Sequence, residues 1–68
     1  MASKIYQLKE QIAQNIPPGE VPRTIYSRLM LKTGLIWAAI APDTEVTEEQ
    51  YVKAVKAAQD ILGLVIQG

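Results

Sequence analysis

Residues 23–41 read RTIYSRLMLKTGLIWAAIA, and the fold turns on how this run is read. Stepped at 100° per residue, Ile25, Leu29, Ile36 and Ile40 fall close together, and Thr33, Tyr26, Trp37 and Met30 widen the same face. On the far side Leu31, Leu35 and Ala38 align at i, i+4, i+7, where the surface helix of a monomer is ordinarily polar. A helix with two apolar faces calls for burial on both. The spacing therefore predicts one long central apolar helix over residues 22–41, with the other helices packed on its broad face. The strip of Leu31, Leu35 and Ala38 then meets its own copy in a twofold dimer, or a partner's helix. Gly34 costs about 1 kcal/mol against alanine inside a helix, and is where the run would bend or break.

Working outward, Ser3 can cap a first helix near residues 3–15, in which Met1, Ile5, Leu8, Ile12 and Ile16 form a narrow seam. The connector NIPPGEVP, residues 15–22, then ends that helix: Pro17 and Pro18 remove donors, Gly19 tolerates a positive φ, and Pro22 suits a first helical turn. Beyond the central run, Pro42, Asp43 and Thr44 form a second stop. Thr47, Glu48, Glu49 and Gln50 have the pattern of a capping box, with Val46 placed to staple against Tyr51. The third helix, from residue 47 to 62 or beyond, carries Tyr51, Ala54, Val55, Ala58, Ile61 and Leu62 on one face. Alanines at 54, 57 and 58 permit close approach of another helix. Gly63 is a natural C-cap with Leu64 beyond it, but Val65 and Ile66 stay in helical phase, so both endings remain open. The fold class expected is all-α: one three-helix domain spanning residues 1–68.

A chain of 68 residues is near the size at which burial only just outweighs chain entropy. It has no cysteine and no histidine, so disulfides, thiolate metal sites and the usual general base are absent, and oligomerisation is the staple left. No nucleophile with its base, phosphate loop or opposed carboxylate pair assembles. Asp43, Glu45, Glu48 and Glu49 lack the glycine and distal glutamate of a calcium loop, and oppose a helix dipole instead. Neither an enzyme nor a cofactor is expected. Net charge is zero but unevenly placed: residues 23–42 carry +3 and residues 43–68 carry −3. The longest apolar run, residues 35–41, is far short of the about 20 residues a membrane span needs. With no secretion-signal pattern at the start, a cytoplasmic setting is expected.

Ile12-Ala13-Gln14-Asn15-Ile16, followed by Val21-Pro22-Arg23-Thr24-Ile25-Tyr26-Ser27-Arg28-Leu29, resembles the two halves of a helix-turn-helix DNA-binding family. There an "IA" helix leads through a short turn to a recognition helix reading like VSRTTIYRRL. The resemblance implies that Arg23, Thr24, Ser27 and Arg28 face DNA in a dimer, and Lys32 on the same edge would contact phosphate. Two expectations result. The first is a small non-catalytic intracellular interaction or assembly module acting through helix packing; the alternative is a dimeric helix-turn-helix-like DNA-binding regulator.

Overall fold

The computed structural model describes residues 2–64. Among them are α1 (Lys4–Gln14), α2 (Pro22–Thr33), a 3-10 turn (Trp37–Ala39) and α3 (Glu48–Leu62), with no strand. The all-α, three-helix expectation is met.

The local signals act as the sequence suggests. Ser3 Oγ accepts the Tyr6 amide at 3.3 Å and starts α1, whose Ile5, Leu8 and Ile12 are buried. Met1 of the expected seam lies outside the described residues, and Ile16 is half-buried. Gly19 takes φ +89° in the connector, and Pro22 opens α2. The capping box is complete: the Gln50 amide donates to Thr47 Oγ1 and the Thr47 amide to Gln50 Oε1, both at 3.1 Å. At the other end Gly63, with φ +65°, donates its N–H to the Gln59 carbonyl at 2.8 Å and stops α3. Leu64 then packs on the core; Val65 and Ile66 lie outside the described residues.

The long central helix does not form. The helix ends at Thr33, and Gly34 takes a left-handed φ of +74° with its N–H on the Met30 carbonyl at 2.7 Å. The cause is a polar group on the apolar face. Thr33 Oγ1 donates to the Leu29 carbonyl (2.7 Å) and accepts from both the Leu35 amide (3.2 Å) and the Trp37 indole N–H (3.1 Å). That hydroxyl gathers the chain back over the end of α2, and Gly34 supplies the conformation the reversal needs. Trp37 enters the core at 1% exposure, as its place on the broad face suggests, whereas Ile36 from the same face is turned outward at 64%.

The hub is accordingly α3 and not residues 23–41. α1 and α2 each pack chiefly on α3 rather than on each other. Ala54, Ala57 and Ala58 are all buried, and side chains this small let the neighbouring backbones come close. The segment after the 3-10 turn is tied to α1: the Ser3 amide donates to the Pro42 carbonyl, and Lys9 Nζ to the Ile40 carbonyl, each at 2.8 Å. The radius of gyration is 10.9 Å, matching the roughly 11 Å of a compact chain this long. No helix among the described residues is long and apolar enough to cross a membrane.

Candidate functional site

Stopping α2 at Thr33 decides which apolar side chains are left outside. Leu31 is 85% exposed, and Met30 and Ile36, both expected on the core face, are exposed as well. Leu35, expected on the outer strip, is half-buried against the core, and Ala38 has moved to the far side of the turn. Leu31, Leu35 and Ala38 therefore share no helix face. Their alignment required the helix to run through Gly34.

A groove takes the strip's place. One wall is Arg23, Tyr26, Ser27 and Met30, an i, i+3, i+4, i+7 row along α2. The other wall is Ile36 and Ala38, with Trp37 between them, and the groove encloses about 420 Å³. The backbone fixes the second wall, since the Ala39 amide donates to the Ile36 carbonyl and the Ile40 amide to the Trp37 carbonyl, both at 3.1 Å. That pairing holds Ile36 and Ala38 outward while Trp37 is pinned inward by Thr33. The row in α2 was not legible as a surface in the sequence, which put Tyr26 and Met30 on the core face. Nor was the facing wall, because it exists only once the chain reverses.

Three other concavities are more polar. One beside the start of α1 involves Ser3, Lys4, Thr44, Glu45 and Glu48. Another runs along α3 from Glu48 to Gln59 over Tyr51, Val52 and Val55. The third lies where Lys32 of α2 approaches Lys53, Lys56 and Asp60 of α3. Glu48 and Lys4 pair at 3.1 Å, and Lys4 Nζ sits 5.7 Å from the centre of the Tyr51 ring. Both ends of that pair are well exposed, so it adds little stability.

The residues implied by the helix-turn-helix resemblance also have definite places. Arg23, Ser27, Arg28 and Lys32 are exposed, and Thr24 is half-buried. Arg23 and Ser27 belong to the groove wall, whereas Lys32 lies on the opposite flank facing α3. α1 and α2 are separated by residues 15–21, longer than the three or four residues of a helix-turn-helix turn. In addition, α3 and not α1 is the main support of α2. Among the described residues none of Arg23, Arg28 and Lys32 forms an ion pair.

Comparison with known proteins yields no match to a family model, to a curated protein or to a solved structure.

Proposed function

We propose that this protein is a small non-catalytic interaction module that works through helix packing, with the outer face of α2 and the Ile36–Ala38 turn as its contact surface. The observation that carries this reading is the exposure of Met30 (42%) and Ile36 (64%) in an apolar groove, with Leu31 (85%) next along α2, on a domain whose core is already closed by Trp37, Ile25 and Leu29. Large aliphatic side chains grouped on a surface favour burial by a partner. A cytoplasmic setting belongs to the same reading. So does assembly, with either a second copy or a different protein covering Leu31, Ala38 and their neighbours; Leu35 is already engaged in the domain's own core.

Two measurements test it together. Light scattering over a wide range of protein concentration reads self-association, and amide NMR with an amphipathic helical peptide of leucine and glutamine reads docking. The expected result is association or saturable shifts at Met30, Leu31, Ile36 and Ala38, abolished in Leu31→Glu/Ile36→Glu without loss of fold. A protein that stays monomeric and unshifted would overturn the reading.

The second reading, a DNA-binding regulator, is favoured by the exposed, unpaired Arg23, Arg28 and Lys32 on one helix. Its signature is duplex affinity that falls steeply with salt, because each phosphate contact releases counterions.

A further inference from the structure

The reading above leaves open what covers the α2 surface, and its charge narrows the answer. α2 (Pro22–Thr33) contains Arg23, Arg28 and Lys32 and no acid. Arg23 is the one charged side chain of the groove wall. Stepped at 100°, Arg28 and Lys32 lie on the other side of Leu31 from the groove, and Lys32 adjoins Lys53 and Lys56 of α3. Cations therefore stand in the groove's α2 wall (Arg23) and beyond Leu31 (Arg28, then Lys32), and none of these five forms an ion pair among the described residues. The protein's own acids lie on or before α3 and none is on α2: Asp43, Glu45, Glu48 and Glu49 gather before α3 and in its first turn, and Asp60 lies beside Lys32, Lys53 and Lys56.

That distribution argues against a second copy on this surface. A twofold contact centred on Leu31 would bring together two copies of a helix that carries Arg23, Arg28 and Lys32 and no acid. Like charges placed opposite one another select against such a pairing. It also argues against a flat membrane surface, because part of the apolar area is concave, a shape that accepts protruding side chains.

We propose that the groove and its flanks take an acidic amphipathic segment of another protein, docked as a helix. Its apolar side chains, spaced i, i+3, i+4, i+7, enter between Met30 and Ile36 over Trp37 and cover Leu31. Its carboxylates meet Arg23 in the groove wall and Arg28 beyond Leu31. Apolar contacts supply the affinity, and the charges supply the choice of partner and the speed of encounter. This inference rests on the interaction-module reading and adds the partner's chemistry to it.

The test uses the full chain and labelled helical peptides of about 18 residues, five turns, sharing one leucine face and differing only in a polar face of glutamate, glutamine or lysine. Binding is read by anisotropy and by the amide shifts of Met30, Leu31, Ile36 and Ala38. The glutamate peptide is expected to bind at least about tenfold tighter than the glutamine peptide at low salt, the gap closing as ionic strength shortens the screening length towards about 3 Å. The double variant Arg23→Glu/Arg28→Glu, at two exposed positions and with its thermal unfolding checked against the parent, is expected to reverse the preference towards the lysine peptide. Equal binding of all three peptides would overturn the acidic partner and leave the interaction module standing. So would tighter binding of the lysine peptide, or salt-sensitive capture by anionic lipid vesicles stronger than that of any peptide. Absence of binding by every peptide, together with a monomer at all concentrations, would overturn both.

Discussion

Replacing Thr33 by valine preserves the shape of the side chain and removes only its hydroxyl, and the loss should be large. Thr33 Oγ1 satisfies the Trp37 indole N–H, which is buried with its ring at 1% exposure, and the half-buried Leu35 amide. A buried donor left unpaired costs about 1–3 kcal/mol, with the half-buried amide near the low end. The sum is about 2–4 kcal/mol, against a total stability of roughly 3–10 kcal/mol for a domain of this length. The thermal midpoint should fall by roughly 10–30 °C at that scale. Thr33→Ser is the control, because it keeps the hydroxyl and loses a single methyl, worth about 1 kcal/mol. Thermal and urea unfolding, followed by far-ultraviolet circular dichroism and by Trp37 emission, should rank parent above Thr33→Ser above Thr33→Val. A valine variant within about 0.5 kcal/mol of the parent, or one more stable than the serine variant, would refute the role assigned to this hydroxyl.

Other expected outcomes rest on separate features. Ala58→Leu should destabilise by about 1–3 kcal/mol or prevent folding, since α3 is the packing hub and Ala58 has no exposed surface; urea midpoints measure it. Thr47→Ala should cost about 1 kcal/mol through loss of the α3 cap, read as a lower thermal midpoint. Leu31→Glu/Ile36→Glu should leave the unfolding midpoint within about 0.5 kcal/mol of the parent, because neither side chain is part of the core; a collapse of stability would show that they are buried in the folded molecule.

Much of the fold was legible because it is written in local chemistry. Ser3, Pro22, Gly63 and the Thr47–Gln50 pair each satisfy or release backbone groups at a helix end, and each acts where its residue type suggests. The seam of Ile5, Leu8 and Ile12 was legible for the same reason, having apolar residues on one side only. Residues 23–41 differ in carrying apolar residues on two faces, so helical stepping finds a face whether or not the helix continues. Ile36, Trp37 and Ile40 fit a continuing helix and a reversed chain equally well by hydropathy. What separates the two is hydrogen bonding: one hydroxyl at Thr33 serving three partners, next to a glycine able to take a positive φ. The candidate surface was half legible for that reason. Leu31 was expected outside the domain's own core and is exposed, whereas Met30 was expected on the core face and is exposed too, and Leu35 and Ile36 exchanged roles at the turn.

The groove, the exposure of Ile36 and the loss of the Leu31, Leu35, Ala38 strip all follow from the stop at Gly34. Gly34→Ala tests that stop by the sign of a single stability difference. A Cβ at this position meets no atom within 4 Å, so backbone conformation alone decides the outcome. With φ at +74°, alanine should lower stability by about 1–2 kcal/mol, and the thermal midpoint with it. If the helix ran on through residue 41, alanine would instead raise stability by about 1 kcal/mol, and that result would contradict the reversal and the surface built on it.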